Sequence, residues 1–332
     1  MADTPNSMER PLVSVVLDGY NETRSLGTVR NTLEALKRQN FPLDQVEVII
    51  AASAEQIRQL NEIYPSAAPF MAIKSVAVEE GQYYQLKNSG AKLASGEIIA
   101  FTDSDVYPQA DWLSSIVENL NDGADASVGL SLFKKANEWE PGGTLRQIAV
   151  SITFGYILGR ITTRQLPEVR GFMDHNIALR AGTYHRFPYR EDQGRICASP
   201  LLFRTLTQRG AKLLLQPQQQ VVHYFSWGYW LSLHFRYGYE VFQLRRLDKD
   251  YPNQWIARTG IFEGVFTLIW HMLLNQPRWL RFSKLRGFGL LQRVALLPVV
   301  GVLSLAANTS EMLGIYATML RPDAMKRWAE AF

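Results

Sequence analysis

The sequence predicts an α/β protein: a doubly wound, mostly parallel sheet of Rossmann-like layout, followed by a helical C-terminal extension. Three observations carry this. Short β-branched runs alternate with segments of helical periodicity through the first two thirds of the 332 residues, the pattern of strands joined by crossover helices. The apolar run Ile98 to Phe101 leads straight into Asp103-Ser104-Asp105, so a buried strand delivers carboxylates to the sheet edge where open α/β sheets bind ligands. From Trp227 onward the composition turns aromatic, apolar and basic. The predicted boundary therefore divides residues 1–226 from 227–332.

The elements follow in order. Leu12 to Leu17 is rich in β-branched residues and reads as the first buried strand, with Asp18 to Glu22 as a loop. Leu26, Val29, Leu33 and Leu36 then recur at helical spacing. Val46 to Ile50 is the second strand, Ala54 to Ile63 a helix, and Ile73 to Val78 a third strand. Tyr84 to Ala94 reads as a helix ahead of the Ile98 strand. Asp111 is placed to cap a helix carrying Trp112, Ile116 and Leu120. Ala126 to Leu132 is a strand, Ile148 to Thr162 a helix, and Arg170 to Leu179 a loop and short strand. Ser199 to Arg209 is a helix; Ala211 to Gln216 and Val221 to His223 are strands parted by a turn at Pro217.

Beyond Trp227, aromatic residues alternate with arginines, and Ile261 to Leu274 carries only Glu263 as a charge. Arg278, Trp279, Arg281, Lys284 and Arg286 form a basic aromatic stretch. Val294 to Ala307 is uncharged but shorter than the ~20 residues of a spanning helix. Basic residues and tryptophans between apolar helices suit a membrane headgroup region. A surface-bound region, a true span and a soluble helical tail all remain readings of this segment.

Composition narrows the class. Hydrophobic residues make up 47% and charged residues 20%, as in a globular chain. A net charge of +4 without a long Lys/Arg block argues against nucleic acid. One cysteine, Cys197, excludes a disulfide framework and a Cys-rich zinc site. The first eleven residues lack an apolar segment, so no secretory signal is expected.

Residues two apart on an extended chain point to one side, so Asp103 and Asp105 can share a small volume. Two carboxylates there repel unless a positive group intervenes. A divalent cation carrying a diphosphate answers that need, since Mg²⁺ takes one or two carboxylates plus phosphate oxygens. The plainer alternative is a polar turn after a core strand.

Other stretches carry a resemblance. Val13-Ser14-Val15-Val16-Leu17-Asp18-Gly19-Tyr20-Asn21-Glu22 resembles the opening strand and loop of family 2 glycosyltransferases of the GT-A fold. Gly81, Lys87, Asn88 and Gly90 match that family's helical element, and Ser95-Gly96-Glu97 with Asp103-Ser104-Asp105 resembles its metal-binding Asp-x-Asp strand. Leu202 to Leu206, then Gly210, Pro217 and Val221-Val222-His223, resemble its later helix, strand and terminal histidine. The likeness runs over roughly residues 11–225; no single motif is specific, and their order carries the weight.

The resemblance implies an inverting transfer of sugar from a nucleotide-sugar, UDP-linked by expectation, to an acceptor hydroxyl. Asp105 and His223 would hold Mg²⁺ or Mn²⁺, and Asp103 would contact the ribose or a metal-bound water. Tyr20, Asn21 and Glu22 would line the nucleotide pocket. Lys87 would face the base or a phosphate, or be a solvated helix lysine; Asn88 and Gly90 would serve packing. The family's catalytic base is a Glu-Asp pair just before the later helix. Here Glu191-Asp192 lies farther upstream of Arg204 than usual, with Cys197-Ala198-Ser199 at the usual spacing. Either residues 193–199 are an inserted loop or the base lies elsewhere, with Asp174 the rival to Asp192 and Glu191.

The second strand ends Ala51-Ala52-Ser53 without the acid that often holds uracil, leaving Ser53 or Glu55 as substitutes. The expected setting is the cytoplasmic face of a membrane, peripheral or monotopic, with a lipid-linked or saccharide acceptor in cell-envelope synthesis. Two other classes stand beside this reading. One is a nucleotide-sugar-binding scaffold without a base. The other is a nucleotidyltransferase, disfavoured because Asp18 to Thr23 lacks lysine and any glycine repeat.

Overall fold

The computed structural model describes residues 12–20, 27–63, 66–79, 82–135, 142–158, 169–191 and 194–331. The chain divides into two compact units. The first comprises Met1–Gly129, Met173–Tyr189 and Thr205–Gln219; the second comprises Leu130–Phe172, Arg190–Arg204 and Gln220–Phe332.

The sheet is built from β1 (Val13–Asp18), β2 (Val46–Ala52), β3 (Ala72–Ala77), β4 (Ile98–Asp103), β5 (Val106–Pro108), β6 (Ala126–Lys134), β7 (Ile177–Arg180) and β8 (Leu213–Tyr224). Their order is β3-β2-β1-β4-β7-β6-β8-β5. β1, β2 and β4 are buried along their whole length, as expected of parallel strands covered on both faces. Edge strand β3 is half-exposed. β1 pairs parallel with β2 and β4 in a register that sets Val13 beside Val46 and Ile98, and Asp18 beside Asp103. The first helices are α1 (Gly27–Leu36), α2 (Ala54–Ile63), α3 (Tyr83–Leu93) and α4 (Trp112–Asn121). α3 lies close on the sheet: a Cβ at Gly90 would stand 2.6 Å from Val16 Cγ1. That is the packing role expected of Gly90.

A buried polar cluster ties the far half of this sheet together. Ser127 Oγ donates to Gln219 Oε1 (2.5 Å), Gln219 Nε2 to Asn176 Oδ1 (3.1 Å), and Trp112 Nε1 to the same Asn176 oxygen (2.8 Å). Satisfied polar groups of this kind fix one register where apolar packing alone would leave several.

The sheet departs from the sequence reading in two respects. β7 runs antiparallel to both β4 and β6, so the sheet is mixed. β8 also runs unbroken through Pro217, where a turn was expected. Its neighbour β5 has three residues against twelve in β8.

Later helices are α5 (Thr144–Phe154), α6 (Ala181–Arg186), α7 (Gly194–Gln208), α8 (Trp227–Leu247), α9 (Gln254–Ala257), α10 (Glu263–Leu285), α11 (Leu290–Ala295), α12 (Leu297–Leu320) and α13 (Pro322–Ala331). α5 starts and ends earlier than expected, tightening into a 3₁₀ turn at Gly155–Ile157. Gly155 is pressed by the Arg278 side chain, 3.0 Å from where its Cβ would stand. Asp111 takes the N-cap position of α4 without a capping bond; its carboxylate accepts from Asn40 Nδ2 at 2.8 Å.

In the second unit α8 and α12 cross at glycines. A Cβ on Gly238 would strike the Glu311 carbonyl, and one on Gly314 would strike the Phe235 carbonyl. Glu263, the lone charge of its apolar run, is fully buried and ion-paired with Arg245 (3.1 Å) and Arg246 (2.8 Å).

Candidate functional site

The register of β1 and β4 places Asp18 and Asp103 side by side at their carboxyl ends. Both are buried, at 0% and 3% exposure. Lys87 of α3, also 0% exposed, answers them: its Nζ is 2.7 Å from Asp18 Oδ2 and 2.7 Å from Asp103 Oδ1. Tyr83, one helical turn earlier, donates its hydroxyl to Asp103 (2.9 Å to Oδ2). Its ring sits under the Lys87 ammonium at 4.6 Å. Tyr20 turns its backbone N–H to Asp18 Oδ1 (3.3 Å) and its ring edge to Tyr83 (5.6 Å between centroids).

One ammonium facing two buried carboxylates leaves an excess negative charge, which low dielectric penalises. Burial and then the charge of Asp103 push Asp18 up to about 8, against the opposing pull of Lys87. Burial also works against the charge on Asp103, yet Lys87 outweighs it and holds that carboxyl well below the usual range. Burial likewise opposes the Lys87 charge, but Asp103 and Asp18 hold the ammonium well above its ordinary value. The opposite directions of the two carboxyls put the weight of the cluster's bound proton on the Asp18 side, beside a Lys87 that stays an ammonium.

The alternative of a solvated helix lysine does not hold for Lys87: its side chain is enclosed by carboxylates and aromatic rings. Asp18 and Tyr83 went unread, the first taken as a loop residue and the second left outside its helix. The available signal was parallel pairing: two strands each ending in Asp predict a shared basic partner.

Asp105 lies two residues beyond β4, in the turn before β5, and is partly exposed. It is the member of Asp103-Ser104-Asp105 that is not enclosed. Tyr84 donates to Asp174 Oδ2 at 2.8 Å, and its ring packs against Tyr189 at 4.5 Å between centroids. Asn88 bonds the Tyr189 carbonyl (2.9 Å) and accepts from the Tyr184 hydroxyl (2.5 Å).

His223, in the second unit and 8% exposed, brings Nδ1 to 2.8 Å from the Tyr224 carbonyl. A carbonyl accepts only from a protonated Nδ1, the tautomer that in a neutral ring carries its lone pair on Nε2. Asn21, Glu22, Gly81 and Asp192 lie outside the described residues. Glu191 is exposed. α7 begins at Gly194, so residues 194–199 are helix and not an inserted loop, and Glu191-Asp192 directly precedes it. Ser53 is engaged in a cap of α2, exchanging bonds with Gln56 (3.0 and 3.3 Å), and Glu55 pairs with Arg58 on its exposed face (2.8 Å).

Among the described residues no three His, Cys, Asp or Glu side chains form a metal-binding group. A partly exposed carboxylate such as Asp105 fits a cation held by few protein groups and completed by diphosphate oxygens.

A mixed α/β sheet with buried charge at the β1 and β4 ends and an accessible Asp beyond β4 puts its charged groups at the carboxyl edge where α/β proteins bind ligands. The chain belongs to glycosyl transferase family 2, whose sequence model matches residues 14–184. It is 28% identical over 146 residues to the glycosyltransferase AglE of Haloferax volcanii, covering 43% of this chain and 45% of AglE. It is 32% identical over 124 residues to the validoxylamine A glucosyltransferase of Streptomyces hygroscopicus subsp. jinggangensis, covering 36% and 28%. The chain thus matches less than half the length of these curated relatives.

Two solved structures share the GT-A fold. One is the mannosyltransferase PcManGT of Pyrobaculum calidifontis in complex with GDP-Man and Mn²⁺, with TM-score 0.58, 17% identity, and 95% and 89% of the two chains covered. The other is GalNAc-T7 with UDP, GalNAc and Mn²⁺, with TM-score 0.50, 15% identity, and 66% and 44% covered.

Proposed function

We propose that this chain transfers a sugar from a nucleotide-sugar to an acceptor hydroxyl, with inversion, at the cytoplasmic surface of a membrane. The observation that carries the reading is the end of β4: Asp103 is locked by Lys87 and Tyr83, and Asp105 follows at an accessible position. Tyr20, with Asn21 and Glu22, lines the nucleotide, for which UDP is the expected base carrier. Asp105 would hold Mg²⁺ or Mn²⁺, and the resemblance implies His223 as a further ligand. The cation, when bound, neutralises charge developing on the leaving diphosphate.

Asp192 or Glu191, immediately before α7, takes the proton from the acceptor hydroxyl as it attacks the anomeric carbon. Asp174, hydrogen-bonded by Tyr84, is the alternative base. Catalysis is assigned to residues 1–226 and surface attachment to 227–332. In the latter, Phe262, Val265, Phe266, Ile269 and Leu273 are exposed along one side of the α10 region, and Leu290, Leu291 and Val294 along α11. α12 is long and apolar enough to cross a membrane, longer than the uncharged run alone suggested. Its buried residues, among them Asn308 and Glu311, favour a monotopic placement over a span. A lipid-linked or saccharide acceptor of the cell envelope follows from that placement.

The test is turnover across UDP- and GDP-sugars with Mn²⁺ or Mg²⁺. Asp105→Ala is expected to lower kcat by about 10²-fold or more without changing Tm. Undiminished turnover in that variant would overturn the assignment.

A further inference from the structure

The second unit contains a cavity of about 400 Å³, the volume of a site for one small molecule. Its wall draws on α5, α7, α8, α10 and α12. The lining carries five arginines (Arg170, Arg204, Arg245, Arg278, Arg281) against two carboxylates, Glu240 and Glu311. Several of these charges are matched locally. Arg204 Nε is 2.8 Å from Asp248, Arg245 Nη1 is 3.1 Å from Glu263, and Glu311 Oε2 is 2.7 Å from His271 Nδ1.

Arg278 is different. Among the described residues its guanidinium makes one side-chain hydrogen bond, to Asn275 Oδ1 at 3.0 Å, and has no carboxylate at ion-pair distance. Burial pushes it down to about 10 despite the pull of Glu311, and neighbouring Arg281 adds to the push. A guanidinium kept against burial and like charge lowers stability. The buried wall also holds donors without acceptors among the described residues: Asn275 Nδ2, Asn308 Nδ2 and Arg245 Nε. Excess positive charge and unanswered donors call for an acceptor-rich anion. The planar guanidinium fork matches phosphate oxygens in particular. Phe172, Phe203 and Tyr237 supply apolar wall for an organic body.

We propose that this cavity binds a phosphate-bearing organic molecule, its phosphate held by Arg278 and Arg281 and its body set against Phe203 and Tyr237. The phosphate can belong to a lipid headgroup or to a soluble phosphate ester. The site lies within the second unit, and its occupancy does not depend on the sugar-transfer reading.

The experiment uses the full chain, thermal unfolding and titration calorimetry. The probes are glucose 1-phosphate and dihexanoyl phosphatidate below its micelle concentration, with glucose and chloride at matched ionic strength as controls. A saturable rise in Tm with either phosphate compound, absent with the controls, is expected. A response to glucose 1-phosphate alone identifies a soluble ester, and a response to phosphatidate alone a headgroup. Arg278→Met is expected to weaken binding by about tenfold or more while raising the Tm of the unliganded protein, because buried like charge is relieved. Arg278→Lys should bind with intermediate affinity, and Arg281→Met should lose a smaller factor. Asp105→Ala should bind as the parent does, which separates this site from the donor site. The proposal is overturned if neither phosphate compound exceeds the controls, if Arg278→Met binds undiminished, or if that variant lowers Tm.

Discussion

Lys87 is the residue on which the first unit's strand ends depend. Replacing it with methionine would leave Asp103 charged, buried and facing a second carboxyl, a change that costs about 3–5 kcal/mol. Lys87→Met should therefore lower the denaturant midpoint sharply. Asp18→Asn should behave in the opposite way. Because burial and Asp103 raise Asp18 to about 8 from 3.8, the folded state holds a proton that the unfolded chain has released across that interval. The parent thus loses stability as pH rises through that interval. Asp18→Asn removes that slope, so its stability relative to the parent should climb over the same range and level off above it. Urea unfolding at pH 5, 6.5 and 8 measures this; a constant difference would place the bound proton elsewhere. The strand-end carboxylates were legible from the sequence because an apolar run followed by Asp-Ser-Asp has few readings. The role of Lys87 was not, because helical spacing shows which face a residue occupies but not which strand ends meet that face.

At the scale of elements, the α8–α12 crossing rests on two glycines that each face a partner's carbonyl. Gly314→Ala places a methyl where the Phe235 carbonyl stands, and overpacking of this kind costs about 1–3 kcal/mol. A Tm drop of several degrees in Gly314→Ala is expected, whereas Gly228→Ala, which meets nothing within 4 Å, should change little. Helices and strands with a clean period were read to within a residue or two, as α2 and β2 illustrate. The misread elements share a cause. Pro217 suggested a turn and the later helix was read only from Ser199, but β8 runs through Pro217 and α7 starts at Gly194 and continues through Pro200, because tertiary pairing overrides a local preference. The antiparallel direction of β7 leaves no local trace, since a four-residue strand reads the same either way.

At the scale of the molecule, the proposed attachment makes a measurable claim. Full-length protein should sediment with vesicles containing anionic phospholipid and do so less at high salt. Leu273→Glu combined with Leu291→Glu should reduce the bound fraction severalfold without lowering turnover on a soluble acceptor. Glutamate variants that bind like the parent would place the contact on another face. The length of α12 was underread because the uncharged run stops before Glu311, a charge matched inside the unit by His271.

The protonation of Asp18 also bears on capture of the proposed donor. With Lys87 answering Asp103, the buried strand ends add little negative charge to the edge, so an incoming diphosphate meets little added repulsion from them. Once Asp18 ionises, the same edge becomes a mild electrostatic gate. The Michaelis constant for an anionic donor then rises under alkaline conditions, most visibly in dilute buffer.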